Sequence, residues 1–193
     1  MEIKDHFPRL QPMDKIIDKT ILWMIPHNWR PNHFTIVRFI MTPFVIWLIL
    51  KEQFLIGLIA FVLVALTDAI DGAMARTRNQ ITDWGKIYDP LADKLLIGSV
   101  AFLLVNTYLS LYLALSVIFI EILLIVNGGI RKNNGKIVQA NRWGKIKMIL
   151  QACGIGFIFL FLLTNISFFI TLSWAALLVA IFFGLISLFT YSI

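Results

Sequence analysis

Cysteine is nearly absent from this chain of 193 residues, and charged residues are scarce. The single cysteine, Cys153, lies in an apolar run, so no intrachain disulfide can form and we expect a packing or lipid-facing role. Only 15% of the residues are charged, 59% are hydrophobic, and the mean hydropathy is +0.83. These values exclude an ordinary soluble globular domain and predict a polytopic membrane protein. Residues 1–6 are polar and lack the apolar core of a secretory signal peptide.

Six apolar segments follow one another along the chain, and we interpret each as a membrane-spanning helix. They cover residues 34–50, 54–67, 95–108, 110–130, 148–164 and 166–191. Because several are shorter than the roughly 20 residues that cross a hydrocarbon core, we expect their polar ends to continue the same helices. The predicted fold class is an all-α membrane protein with six transmembrane helices. We predict a single domain over residues 1–193, with the membrane bundle at 34–191.

The segment before the first span, residues 12–25, has the pattern of an amphipathic helix. Its apolar face holds Met13, Ile16, Ile17, Ile21 and Met24, and its charged face holds Asp14, Lys15, Asp18 and Lys19. Such a helix lies in the membrane interface with its charged face toward water. We therefore expect an interfacial helix that anchors the chain, in preference to a catalytic role.

The connections between the spans alternate in their content of lysine and arginine. Basic residues concentrate in the N-terminal segment and in the connections after the second and fourth spans, whereas the opposite connections hold only Lys51. By the positive-inside rule, both termini and the basic connections face the cytosol at the plasma (inner) membrane. The net charge of +6 suits an anionic membrane surface, and no nucleic-acid partner is expected.

Four aspartates form the most informative pattern of the sequence. Asp68 and Asp71 follow the second span, Asp89 and Asp93 precede the third, and each pair shares one face of a helix. A rise of about 1.5 Å per residue places both pairs at a similar depth on the cytosolic side. Converging carboxylates repel one another unless they share cations, and oxygen ligands without histidine or cysteine favour Mg²⁺ or Mn²⁺. The pattern predicts a site for two divalent ions, which suits phosphoryl chemistry.

Small and basic residues accompany these acids at fixed spacing. Glycine at 72 and 85 would let a ligand approach closely, and the arginine at 76 can contact a phosphate with two nitrogens. The full series is Asp68, Asp71-Gly72, Ala75-Arg76, Gly85, Asp89 and Asp93. It resembles the signature of the CDP-alcohol phosphotransferase family at every fixed position. Pro31-Asn32, Thr35 and Arg38 also resemble the segment that leads into the first span of that family.

The resemblance implies a reaction, a set of ligands and an assembly. The family transfers a phosphatidyl group from a CDP-linked lipid, such as CDP-diacylglycerol, to an alcohol and releases CMP. It implies that Asp68, Asp71 and Asp89 bind two Mg²⁺ ions, with Mn²⁺ as an alternative, and that Asp93 is both a ligand and the general base. The residues implied to contact the CDP-lipid are Pro31, Asn32, His33, Phe34, Gly72, Arg76 and Thr82. For Thr82 a role as a helix cap is an equal alternative. A homodimer is implied as well.

The acceptor alcohol is expected to bind between residues 121 and 151. Here the segment 142–147 resembles the region of phosphatidylglycerophosphate synthases that holds the phosphate of glycerol 3-phosphate. The candidate acceptor ligands are Glu121, Arg131, Arg142, Lys145 and Lys147. Ordinary positive-inside charge is the alternative for the basic residues. Two arginines of those synthases are replaced here by Ile120 and Gly128, and Arg131 could replace the second of them.

Glycerol 3-phosphate is therefore the favoured acceptor, and other alcohols stay open. Within the family the alternatives are a lipid acceptor, as in CMP-forming cardiolipin synthases, or inositol phosphate or serine. From another class, the acids could serve a cation-binding transporter. That alternative explains six spans, but it does not explain glycines and an arginine at fixed spacing.

Overall fold

The structure is a computed structural model that describes residues 12–26, 29–78, 80, 82–133 and 142–190. Every element within these residues is helical. In chain order they are α1 (Pro12–Thr20), a 3-10 turn (Leu22–Met24), α2 (Pro31–Leu50), α3 (Phe54–Thr77), α4 (Asp83–Tyr108), α5 (Leu111–Asn133), α6 (Arg142–Thr164) and α7 (Phe168–Thr190). The predicted all-α fold with a short helix before the first span is confirmed. The predicted end of the bundle, residue 191, lies outside the described residues.

The six helices α2 to α7 are each long and apolar enough to cross a membrane. As expected, polar ends continue the apolar cores, since α3 runs on to Thr77 and α4 already begins at Asp83. All four aspartates of the motif therefore lie on helices. Large apolar side chains such as Leu63, Phe119 and Phe182 are exposed along these helices, which suits lipid and not water. The chain is a multi-pass integral membrane protein.

Local sequence signals explain where several helices begin and end. Pro31 is the first residue of α2, where the missing N–H of proline costs nothing. Two tight turns contain residues in the left-handed region, Glu52 with φ 58° and Asn165 with φ 57°. Asparagine tolerates this conformation better than most residues, which is consistent with the break between α6 and α7.

The chain divides into two compact units. The first comprises Met1–Trp47 and Ile59–Leu96, and it contains α1 and the four aspartates. Its buried apolar side chains include Leu22, Val45 and Met74. The assignment of the whole chain to a single domain stays a prediction.

The second unit comprises Leu48–Leu58 and Ile97–Ile193 and contains α5, α6 and α7. Glycines let its helices approach closely. A β-carbon at Gly154 would lie 2.8 Å from Cγ of Leu177, and one at Gly184 would lie 2.5 Å from Cγ2 of Ile120. The hydroxyl of Ser173 donates to the carbonyl of Gly154 at 2.8 Å. Close helix contacts at small residues, supplemented by such hydrogen bonds, are typical of membrane bundles.

Candidate active site

Arg38, on α2 in the first unit, is completely buried. Its Nη2 donates to Oδ2 of Asp71 at 2.6 Å, and its Nη1 donates to Oδ1 of Asp68 at 3.3 Å. Nη1 also lies 3.4 Å from the backbone carbonyl of Asp89. A buried guanidinium requires such partners, because an unpaired charge away from water is costly. One side chain of α2 therefore joins α3 and α4.

The structure brings three of the four motif aspartates together around this arginine. Asp71 is buried, whereas the side chain of Asp68 is 49% exposed and therefore open to an incoming ligand. Asp89 accepts a hydrogen bond from the hydroxyl of Thr35 on α2. Asp93 lies one turn further along α4 and is also buried.

Asp68, Asp71 and Asp89 line a cavity of about 390 Å³ in the first unit, and Asp93 is not among its lining residues. The lining residues are Asp14, Ile17, Asp68, Ala69, Asp71, Gly72, Arg76, Gly85, Asp89 and Pro90. The cavity thus combines three carboxylates of the motif with the arginine and both glycines. Such a concave site with convergent charged groups is suited to a small anionic ligand held through cations.

The start of α4 forms one wall of this cavity. Thr82 immediately precedes the helix, and its hydroxyl accepts the backbone N–H of Gly85 at 3.0 Å. Thr82 is therefore the N-cap of α4, which was one of the two roles predicted for it. The same hydroxyl donates to Oδ1 of Asn32 at 2.8 Å. A β-carbon at Gly85 would lie 3.0 Å from Oδ2 of Asp89 and 3.3 Å from Oδ1 of Asn32, so only glycine fits without displacing these oxygens.

Arg76 projects from the end of α3 into the same cavity. Its Nε and Nη2 donate to the two carboxylate oxygens of Asp14, at 2.9 and 2.8 Å. A β-carbon at Gly72 would lie 3.3 Å from both Nη1 and Nη2 of Arg76. The guanidinium therefore packs directly over Gly72, and Asp14 pairs with its Nε and Nη2 but not with Nη1.

The donor set of the cavity fits a hard divalent cation. Asp68, Asp71 and Asp89 supply only carboxylate oxygens, and no histidine or cysteine is among the lining residues of the cavity, which favours Mg²⁺ or Mn²⁺. Among the residues that the structure describes, no group of three or more histidine, cysteine, aspartate or glutamate side chains is arranged to hold a metal ion. Arg38 and Thr35 donate hydrogen bonds to carboxylate oxygens of these aspartates.

Several residues predicted to contact the CDP-lipid are not among the lining residues of this cavity. Pro31 is buried at the start of α2. His33 is exposed, and its Nδ1 accepts the backbone N–H of Arg30 at 3.1 Å. Phe34 lies against Trp29 with ring centroids 5.3 Å apart. Their role as CDP-lipid ligands stays a prediction.

The predicted acceptor residues belong to the second unit, and the structure pairs two of them. Lys147 on α6 is buried and forms an ion pair with Glu121 on α5. Arg142 and Lys145, at the start of α6, are exposed. Arg131 is on α5, but its side chain lies outside the described residues. At position 120, where the resemblance leads one to expect arginine, Ile120 instead fills the space left by Gly184.

Three residues of the site were not among the predicted ligands. The sequence places Arg38 and Thr35 only within a pattern that leads into the first span, although a lone arginine inside an apolar span is itself a signal that a buried acid is nearby. Asp14 was assigned to the water-facing side of an interfacial helix. The structure instead buries Asp14 against Arg76, and no periodicity within α1 could reveal a partner more than sixty residues away.

Comparison with known proteins gives consistent similarities. The sequence model of a family described as CDP-alcohol phosphatidyltransferase matches residues 28–186. A Bacillus subtilis protein named "CDP-diacylglycerol--glycerol-3-phosphate 3-phosphatidyltransferase" is 35% identical over 141 residues, which cover 71% of this chain and 72% of the relative. A Rickettsia typhi protein of the same name is 42% identical over 79 residues, covering 39% of this chain and 44% of the relative.

A further relative carries a different name. A Drosophila melanogaster protein named "Probable cardiolipin synthase (CMP-forming)" is 34% identical over 100 residues, which cover 51% of this chain and 31% of that protein. The chain therefore spans less than half the length of the Rickettsia and Drosophila relatives it matches. Helix α1 lies before the first residue of the family match.

Proposed function

The chain belongs to the CDP-alcohol phosphatidyltransferase family, and on that premise we propose that it is an integral-membrane phospholipid synthase. It transfers the phosphatidyl group of CDP-diacylglycerol to an alcohol, most simply glycerol 3-phosphate, and releases CMP. The observation that carries the proposal is the meeting of Asp68, Asp71, Asp89 and Arg76 at one cavity. The name of the Bacillus subtilis relative supports the choice of donor and acceptor.

Arg76 and Gly72 are the proposed contacts of the donor pyrophosphate. The guanidinium presents nitrogens over Gly72, and a planar fork of N–H groups suits phosphate oxygens. Because Gly72 has no side chain, the guanidinium can lie directly against the helix. Asn32 and Thr82, which hydrogen-bond one another beside Gly85, would position the nucleotide part of the donor.

The four motif aspartates are the proposed ligands of two Mg²⁺ ions, with Mn²⁺ as a substitute. When bound, such ions neutralise phosphate oxygens and the charge that develops on the CMP leaving group. The carboxylate of Asp68 is partly exposed. The guanidinium of Arg38 balances the negative charge of Asp71. The positive charge of the bound ions would let the site hold a highly anionic donor beside these carboxylates.

Asp93 is the proposed general base. Its carboxylate accepts the proton of the acceptor hydroxyl as the hydroxyl oxygen attacks the phosphorus that carries diacylglycerol. The bond from that phosphorus to the bridging oxygen of CMP breaks, and CMP leaves with the electron pair. A positioned base of this kind contributes roughly 10²- to 10⁴-fold to the rate.

The acceptor phosphate is proposed to bind the basic residues near the start of α6. Arg142 and Lys145 are exposed, whereas Lys147 already faces Glu121, so the first two are the stronger candidates. Arg131 is proposed as a further contact. Glu121 would act indirectly by holding Lys147. A lipid acceptor is the second candidate, because Ile120 removes a cation from this region and one relative is named a cardiolipin synthase.

The proposed setting is a homodimer with its active site on the cytosolic side of the plasma membrane. The concentration of lysine and arginine in one set of connections supports this orientation. Chemical cross-linking in native membranes, followed by mass determination of the purified species, tests the dimer.

One assay tests the reaction, the acceptor and the base together. Purified protein in detergent receives CDP-diacylglycerol and, separately, glycerol 3-phosphate, phosphatidylglycerol, inositol phosphate or serine, and CMP is quantified with Mg²⁺ or with EDTA. We expect Mg²⁺-dependent CMP release with glycerol 3-phosphate. Asp93→Asn should lower that rate by about 100-fold or more, while Asp18→Asn, an exposed site on α1, should not change it.

Each part of the proposal can fail by itself in this assay. CMP release with phosphatidylglycerol alone would identify that lipid as the acceptor in place of glycerol 3-phosphate. The proposed reaction of CDP-diacylglycerol would be unaffected. Full activity of Asp93→Asn would remove Asp93 as the base. Equal activity in EDTA would overturn the role of divalent ions, and no CMP with any acceptor would overturn the transferase.

A further inference from the structure

Helix α1 contributes two residues to the cavity although it lies outside the residues matched by the family model. The match begins at residue 28, whereas the cavity lining includes Asp14 and Ile17. Asp14 is only 1% exposed. An acid buried to this extent on a short amphipathic helix is not explained by anchoring at a membrane surface, where its carboxylate would face water.

The contact between Asp14 and Arg76 fixes one edge of the guanidinium. Both carboxylate oxygens are used, one by Nε at 2.9 Å and the other by Nη2 at 2.8 Å. Paired hydrogen bonds of this type hold the plane of the arginine as well as its position. The edge formed by Nη1 and Nη2 is then left over Gly72.

Arg76 has other acids nearby with which it could pair. Asp68, Asp71 and Asp89 line the same cavity, and a flexible arginine without a fixed partner would be drawn to the exposed carboxylate of Asp68. If Arg76 paired with Asp68, Asp68 could not bind a metal ion and Arg76 could not bind a phosphate. Asp14 prevents it by holding Arg76 from the side of α1.

A second arginine docks the segment that carries Asp14. Nη2 of Arg78 donates to the backbone carbonyls of Leu22 and Ile25, at 2.9 and 3.2 Å. Leu22 is itself buried. The segment from α1 through the 3-10 turn is therefore attached to the end of α3 at two points, and the position of Asp14 is defined by the fold.

We propose that Asp14 is a positioning residue that orients Arg76 to receive the pyrophosphate of the CDP-lipid. The inference rests on the proposed function, because it takes Arg76 as the donor ligand. It assigns α1 a part in donor recognition that an interfacial anchor does not have. The effect belongs to donor binding, so the acceptor should bind as before when Asp14 is changed.

The test compares Asp14→Asn with Asp14→Glu and with the matched control Asp18→Asn on the exposed side of the same helix. The KM for CDP-diacylglycerol should rise about tenfold in Asp14→Asn and less in Asp14→Glu, which keeps the charge. The KM for the acceptor and the values for Asp18→Asn should be unchanged. Calorimetric titration with CDP-diacylglycerol in the absence of acceptor should show the same loss of affinity without any turnover.

The outcomes separate this inference from the proposed function. If the unaltered chain releases CMP but Asp14→Asn keeps its donor KM and donor affinity, the role of Asp14 is overturned while the function stands. An equal rise in both KM values with a lower melting temperature would also overturn it, because Asp14 would then be structural only. If Asp14→Asn does not fold, Asp14→Ser, which removes the charge with a smaller side chain, is the second variant: a rise in donor KM alone supports the inference, and an unchanged donor KM overturns it.

Discussion

At the scale of single residues, a guanidinium between carboxylates determines how the first unit is held together. Arg38 is completely buried and contacts Asp68 and Asp71 on a neighbouring helix. A charged residue inside an apolar span indicates a buried residue of opposite charge, but the sequence did not reveal which acid pairs with Arg38. The aspartate spacing predicted convergence, and the structure shows that an arginine of α2 lies at the point of convergence.

Replacing Arg38 should therefore destabilise the protein in a way that cations relieve. Arg38→Met leaves Asp71 buried without its counter-charge, which costs about 3–5 kcal/mol. We expect a lower melting temperature in detergent, and a larger recovery on adding Mg²⁺ than the unaltered protein shows. Arg30→Met, an exposed site in the segment before α2, is the control. A variant as stable as the original chain in EDTA would contradict the role given to Arg38.

At the scale of helices, periodicity and length allowed most of the fold to be predicted. Six apolar segments became α2 to α7, and the expected polar extensions place the acids on α3 and α4. The sequence could not show which glycines are contact points. Gly154 and Gly156 lie on the same helix, yet only Gly154 faces Leu177, while a β-carbon at Gly156 would meet nothing within 4 Å.

This pair of glycines provides a matched test of helix packing. Gly154→Ala would place a β-carbon 2.8 Å from Leu177, so we expect a loss of about 1–3 kcal/mol from overpacking. Gly156→Ala should be neutral. Thermal unfolding of both variants measures the difference, and Leu177→Ala combined with Gly154→Ala should lose less stability than the sum of the two single substitutions, because the contact between the two side chains is then removed. Equal stabilities for the two glycine variants would show that α6 and α7 do not depend on this close approach.

At the scale of the whole molecule, the distribution of basic residues predicts the orientation in the membrane. Lys51 lies in the turn between α2 and α3, whereas Lys19 lies on α1, and both are exposed. The positive-inside rule depends on the asymmetry of lysine and arginine between the two sets of connections. The orientation therefore stays a prediction from the sequence, while the pairing of Asp14 with Arg76 required the three-dimensional structure.

Cysteine labelling measures this orientation directly. In a Cys153→Ser background, Lys51→Cys should react with a membrane-impermeant maleimide on intact cells, and Lys19→Cys only after the membrane is permeabilised. A gel-shift assay distinguishes the two. The reverse pattern would place the cavity on the outer side and remove access to cytosolic CDP-diacylglycerol.

The counter-charge supplied by Arg38 also bears on how the chain is made. A site of clustered acids would ordinarily resist burial until ions arrived, and a nascent chain leaving the insertion machinery would be exposed to proteolysis while it waited. Because Arg38 already pairs with Asp71 on α3, we expect insertion and folding to be completed without the proposed Mg²⁺ ions. Cells starved of magnesium should then accumulate normal amounts of intact, inserted protein that becomes active as soon as the ion is restored.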